Sequence, residues 1–224
     1  MTDNFPRHLG REIEKLKRKL LALSAYVEES VQRAVKAIAT RDDKLAHRVI
    51  DADFEIDEME VDVEEDCLKI LALHQPVAVD LRYIIAVLKI NNDLERIGDL
   101  AVNIAERAIF LSRMVKTDAP YDFATMSAKA QLMLQKSLDS LVNSDSVLAR
   151  EVLVSDDEID EINRQMYQDV MTAIKEDPEK VDNLIQMLAV SRNLERIADH
   201  TSNIAEDVIY MVDGEIIRHS GRSY

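Results

Sequence analysis

Acidic residues recur four positions apart at four places along the chain. The pairs are Asp53/Asp57, Glu95/Asp99, Asp156/Asp160 and Glu195/Asp199. In a helix, residues at this spacing lie one turn apart on the same face, and two like charges there destabilise the helix by about 0.2–0.5 kcal/mol. A bound multivalent cation would remove that cost. Because carboxylate oxygens suit Mg²⁺, Mn²⁺ and iron, all eight residues are candidate metal ligands.

The same pairs also have a simpler interpretation, since a chain with 43 acids contains many of them by chance. Arg96 and Arg196 each stand three residues before the second acid of a pair, at a distance that suits a surface ion pair. Under this interpretation the acids belong to an ordinary solvated helix face. The sequence leaves both interpretations open.

Helical geometry predicts how exposed such a metal site is. On a helical projection, Asp53 and Asp57 lie at the border of an apolar stripe, whereas Glu95 and Asp99 lie nearer to solvent than to the core. We therefore expect a surface site that is open on one side. Asn103 and Asn203 follow one turn further on and are possible additional oxygen donors.

Motifs for catalysis and nucleotide binding are missing from the sequence. It contains no Glu-x-x-His, the signature of di-iron bundles, and no His-Glu-x-x-His. It also contains no glycine-rich nucleotide loop and no nucleophile elbow. We therefore expect a protein that is not an enzyme, with no catalytic residues and no cofactor other than metal ions.

The elements that carry the acidic pairs are predicted to be long helices. Four glycines and four prolines leave little material for turns, which excludes a β-sandwich. Apolar residues recur every three or four positions between the prolines. The pattern predicts six helices, over about 7–40, 43–74, 77–115, 122–142, 144–177 and 178–213. A break is expected at 117–122, and Gly214 is expected to cap the last helix.

The second half of the chain repeats the first. Leu94-Glu-Arg-Ile-Gly-Asp99 recurs as Leu194-Glu-Arg-Ile-Ala-Asp199, and nine of the sixteen residues 91–106 are identical at an offset of 100. Residues 56–58 recur at 159–161, an offset of 103, and a loop can absorb the difference. The repeat predicts an all-α fold of two tandem, pseudo-symmetric three-helix bundles, residues 1–117 and 118–224.

Net charge and composition limit the classes of molecule that the protein is expected to bind. The net charge of −15 argues against nucleic acid and against anionic membrane surfaces, and it favours cations and basic proteins. The single cysteine, Cys67, fits a reducing compartment. Neither a signal peptide nor an apolar run of membrane-spanning length is recognisable. We expect a cytoplasmic protein without membrane insertion.

The doubled motif resembles the PhoU family. Both copies are followed by Asn-Ile-Ala-Glu, at 103–106 and 203–206. Further similarities are Gln75-Pro76 before Asp80-Leu-Arg82, and the tail 208–214 with Arg218-His219. The resemblance covers about residues 6–219.

The resemblance implies a cytoplasmic regulator of phosphate uptake that represses the phosphate-starvation response. It implies an adaptor between the importer ATPase, PstB-like, and a sensor histidine kinase, PhoR-like, and it suggests a homodimer. It further implies iron, zinc, magnesium or manganese at E(D)-x-x-x-D motifs, which the four acidic pairs match. Because Asn163 stands where the first half has Glu60, the two sites need not bind equally. A metal-storage bundle is the alternative, and an enzyme that uses a surface metal ranks third.

Overall fold

The residues that the structure describes form six long helices, as the sequence predicts. The computed structural model describes residues 5–116 and 122–217, with side chains described from residue 8. The helices are α1 (Phe5–Thr40), α2 (Asp43–His74), α3 (Ala78–Arg113), α4 (Phe123–Asn143), α5 (Ser146–Glu176) and α6 (Val181–Asp213). A single 3₁₀ turn, Pro178–Lys180, leads into α6. Residues 117–121, where the break and the boundary between halves were expected, lie outside the described residues, as do Arg218 and His219.

Helix ends are fixed by local chemistry. Asp42, Asp122 and Asp145 cap the starts of α2, α4 and α5, where each carboxylate accepts hydrogen bonds from backbone N–H groups of the first turn. At the end of α6, Gly214 adopts the left-handed conformation with φ of 78°, which confirms the predicted cap. These signals are short in range, which is why the helix bounds could be read from the sequence.

The two halves have the same helix packing. In the first half α1, α2 and α3 pack against one another, and α4, α5 and α6 do the same in the second half. The halves are joined chiefly by α3 against α6, with a smaller contact between α1 and α4. Buried apolar residues from all six helices form one continuous core, which includes Cys67. None of the described helices has the length and apolar character needed to cross a bilayer.

Polar side chains also cross the seam between α3 and α6. Lys89 on α3 lies 3.3 Å from the buried carboxylate of Asp207 on α6. Arg82 donates to the backbone carbonyl of Met211 at 3.1 Å, near the end of α6. These contacts bind the last helix of each half to the other and hold the two halves in a fixed relation.

A glycine allows α2 to approach α3 closely. A Cβ atom placed on Gly98 would lie 3.2 Å from Cγ2 of Ile56 and 3.6 Å from Oδ1 of Asp53. The repeat places Ala198 at the corresponding position of α6, so the second half accommodates one more carbon there. The close approach brings Asp53 of α2 onto the surface of α3.

Gly98→Val is expected to lower the free energy of unfolding by about 1–3 kcal/mol, because the added carbons must displace Ile56 in a packed core. Urea denaturation measures the change. Gly10→Val is the matched control, since a Cβ at Gly10 meets no atom within 4 Å. Equal effects of the two substitutions would show that the close approach is unimportant for stability.

Candidate functional site

The structure brings two of the predicted acidic pairs together in the first half. Asp53 and Asp57 lie on α2, and Glu95 and Asp99 lie on the neighbouring face of α3. Asp53 interacts electrostatically with Asp99, and Glu95 interacts with Asp57. We call these four residues the first acidic face.

Burial and mutual repulsion make the first acidic face costly to ionise. The pKa of Asp53 is raised from 3.8 to about 6, first by burial and then by the negative charges of Asp57 and Asp99. The pKa of Glu95 is also raised, chiefly by burial and then by Asp99. The Glu95 side chain is only 24% exposed, so the sequence overestimated its exposure. Asp99, at 44%, is more open, as expected.

The second half repeats this arrangement. Its acidic face consists of Asp156 and Asp160 on α5 and Glu195 and Asp199 on α6. The pKa of Asp156 is raised from 3.8 to about 6 by burial and then by Asp199 and Asp160. Burial also raises the pKa of Glu195 and of Asp199, and the charge of Asp160 adds to both. Both faces therefore hold four carboxylates, two of them from each of two packed helices.

The ion pair predicted for Arg96 is present in the first half. Arg96 lies 3.3 Å from Asp99 and 3.3 Å from Glu95. Its side chain is about half exposed, so the pair competes with water and contributes little to stability. In the second half Arg196 acts through its charge, which lowers the pKa of Glu195 and Asp199. An arginine beside each face does not prevent a cation from binding there, because its guanidinium can swing into solvent.

A polar link beside each face differs between the halves. In the first half the Asn91 amide donates to the Glu60 carboxylate at 2.8 Å and to the Glu60 backbone carbonyl at 3.0 Å. In the second half the hydroxyl of Ser191 donates to Asn163 at 2.8 Å. The pKa of Glu60 is raised by burial and then by Glu64 and Asp57, so Glu60 is a fifth carboxylate of the first face. The two faces thus differ by one carboxylate.

Sequence reasoning missed a cluster at the seam. Asp93, which is 7% exposed, accepts a hydrogen bond from the Asn203 amide at 3.2 Å and lies 2.8 Å from Nδ1 of His200. Asn203, expected as an additional metal ligand, is therefore engaged with the other half. The repeat contained a signal for this cluster. Asp93 aligns with Asn193 and His200 aligns with Leu100, so both residues depart from the repeat.

The two faces contain donor groups that suit a cation, but their side chains are not arranged as a ligand shell. The four carboxylates of each face are suitable hard-oxygen donors. Within residues 8–116 and 122–217, however, no three His, Cys, Asp or Glu side chains converge as a ligand set. An ion would have to draw the carboxylates together by rotation of their side chains. The donor types fit a metal ion, and the ligand shell is not formed in advance.

Comparison with known proteins adds an independent finding. The family model described as the PhoU domain matches residues 20–108 and again residues 123–208. A protein of Aquifex aeolicus named phosphate-specific transport system accessory protein PhoU homolog is 39% identical over 94% of this chain and 96% of its own. A homolog of the same name from Pseudomonas aeruginosa is 37% identical over 99% of this chain and 92% of its own.

Solved structures agree with the fold. The crystal structure of PhoU from Pseudomonas aeruginosa superposes with a TM-score of 0.88 at 37% identity, over 92% of this chain and 99% of that one. The phosphate transport system regulatory protein PhoU from Streptococcus pneumoniae gives 0.85 at 27% identity, over 93% and 99%. The likeness extends over nearly the whole chain.

The raised pKa values predict that the metal-free protein becomes more stable on acidification. Between about pH 4 and pH 6 the folded state binds more protons than the unfolded state, so the free energy of unfolding falls as the pH rises through this window. Thermal unfolding in chelator is expected at a higher temperature at about pH 5 than at about pH 7. Far-UV circular dichroism measures it.

Asp53→Asn separates this effect from general charge repulsion. The variant is expected to be more stable than the parent near neutral pH and to depend less on pH, because the side chain at position 53 is then uncharged. Asp51→Asn, at an exposed position of the same helix, is the matched control. If both variants respond to pH alike, the first acidic face is not the cause.

Proposed function

The chain belongs to the PhoU family, and from this premise we propose that it is an accessory and regulatory protein of a phosphate transport system that acts by binding. One observation carries the mechanism. Two corresponding acidic faces lie on packed pairs of helices, and each contains an aspartate whose pKa is raised to about 6. Charged faces held by a rigid scaffold suit recognition of cations and of partner proteins.

Each face is proposed to hold metal ions. The first face would use Asp53, Asp57, Glu95 and Asp99, with Glu60 beside them. The second face would use Asp156, Asp160, Glu195 and Asp199. A bound cation would supply positive charge that relieves the repulsion among the carboxylates and fixes their positions. Carboxylates alone accept Mg²⁺, Mn²⁺, Zn²⁺ or iron, so the choice among these metals is left to experiment.

The partners are proposed to be the importer ATPase and the sensor histidine kinase, which the protein would join in the cytoplasm as a homodimer. The surplus of 43 acids over 28 lysines and arginines supports contact with basic protein surfaces. Through these contacts the protein would repress the phosphate-starvation response. Metal storage is the competing proposal, and the small number of carboxylates at each face counts against a large capacity.

Glu95→Ala together with Asp99→Ala is expected to remove ions from the first half and leave those of the second. Each face draws its ligands from its own half, so the losses should be independent. Isothermal titration with Mn²⁺ and elemental analysis measure the metal content. Helicity should be retained, because the variant also removes mutual repulsion.

The matched variant is Glu195→Ala with Asp199→Ala, which should empty only the second half. Unchanged metal content in either double variant would disprove the ligand assignment. Uptake far beyond a few ions per chain would favour storage instead.

Binding to the ATPase or the kinase is expected to be reversible, with an association rate that falls between low and physiological salt, because screening weakens long-range attraction. Surface plasmon resonance measures the rate. Glu106→Lys, on the exposed side of α3, should weaken binding without unfolding the protein. Glu176→Lys makes the same change of charge at the end of α5 and is the control. Absence of binding to both partners, with and without metal, would return storage to first place.

A further inference from the structure

A groove of about 700 Å³ lies between α1 and α2, on the outer side of the first half. Apolar atoms of Tyr26, Met59 and Val61 line part of it, and the remaining lining is acidic. The acidic lining residues are Glu55, Asp57, Glu58 and Asp62. We call these four acids the rim of the groove, and they make it negatively charged beside its apolar part.

Large apolar side chains remain exposed in and beside the groove. Tyr26 is 48% exposed and Val61 is 51% exposed. Phe54 and Leu68, seven residues to either side of Val61, are also more than half exposed. Residues seven apart lie on nearly the same face of a helix, so these three form an apolar stripe along α2. No other described helix covers this stripe.

The charge on the α2 side of the groove has one sign. Ten of the sixteen residues 51–66 are Asp or Glu, and none is Lys or Arg. Lys19 of α1 is the nearby cation, and it contacts Asp66 at 2.6 Å and Asp62 at 3.4 Å, at one end of the groove. Among the described residues, Glu55 and Glu58 form no ion pair. The rim therefore keeps negative charge available to a partner.

The second half has no equivalent surface. At the offset of 103, Phe54 corresponds to Asp157 and Val61 corresponds to Arg164. Glu161, which corresponds to Glu58, pairs with Arg164 at 3.1 Å. The apolar stripe with its unpaired acids is therefore a property of the first half alone, although the metal-candidate faces occur in both.

We propose that the groove between α1 and α2 docks a basic amphipathic helix of a partner protein. The partner's apolar side chains would pack on Tyr26, Met59 and Val61, and its Lys or Arg residues would meet Glu55 and Glu58. This is the helix-in-groove mode of recognition, with anchors at every third or fourth position. The proposal rests on the adaptor function above and specifies the chemistry of one contact.

Charge selects this occupant over two others. A second copy of the chain would bring the same acidic rim against itself in a two-fold interface, where like charges repel. An anionic membrane surface would be repelled for the same reason. A basic helix satisfies both the apolar stripe and the unpaired acids.

The test uses the full-length protein and a fluorescent synthetic helix of leucine and lysine, about four turns long with one apolar face. Fluorescence anisotropy in chelator measures binding. Glu58→Lys is expected to weaken binding about tenfold or more, equivalent to about 1.4 kcal/mol. Val61→Ser is expected to weaken it about fivefold, through loss of apolar contact at unchanged charge.

Glu161→Lys is the matched control, since it changes the net charge by the same amount at the corresponding position of α5. It should leave the affinity within about twofold of the parent value, because only long-range attraction changes. A peptide of the same composition with its apolar face scrambled should bind weakly. Circular dichroism checks that each variant is folded.

Three results would overturn the proposal. The first is equal weakening by Glu58→Lys and Glu161→Lys, which would mean unspecific attraction. The second is an unchanged affinity of the Val61→Ser variant for the synthetic helix. The third is dissociation of a dimer by Val61→Ser in sedimentation equilibrium, which would make a second copy the occupant.

Failure of the adaptor function is distinguishable from failure of the docking site. If the peptide binds as expected while neither the ATPase nor the kinase binds the protein, the groove stands and the adaptor proposal fails. If both partners bind and the peptide does not, the groove proposal is wrong and the adaptor function stands.

Discussion

The close packing of α2 on α3, and of α5 on α6, is the constraint on which the functional surfaces depend. Ile56 lies against Gly98, and this contact leaves Asp53 at the surface of α3 rather than in open water. The acids of two helices then share one partly buried neighbourhood, where each raises the cost of ionising the next. A cation or a basic partner can remove this unfavourable free energy of ionisation when it binds. The same packing that stabilises the core therefore creates the demand for positive charge.

The repeat separates two kinds of residue. Positions that match between the halves build the acidic faces, whereas the apolar stripe of α2 and the contact between Asp93 and His200 at the seam lie at positions that differ. Asp93 and His200 meet at the seam, and neither has an equivalent in the other half. A duplicated unit needs such departures from the repeat, because a partner protein could not distinguish two halves with identical surfaces.

Asp57 connects the two surfaces of the first half. It belongs to the first acidic face and also lines the groove between α1 and α2. A cation at the face would reduce the negative charge that the groove presents, so occupancy of one surface would influence the other through the charge of a shared residue. In the second half Asp157 and Arg164 stand at the positions of Phe54 and Val61, so this coupling is confined to the first half.

The sequence by itself determined the six helices, their ends and the identity of the acidic faces. The helices and their ends depend on the apolar period and on capping residues, which act over a few residues. The acidic faces depend on the internal repeat, which is visible as sequence identity between the halves. Only the tertiary structure decided that Glu95 is mostly covered, that Glu60 is held by Asn91, and that an apolar groove flanks the first face. These features depend on contacts between residues that are far apart in the chain. Their distances follow from the rotation and register of packed helices, and helical period alone does not fix either.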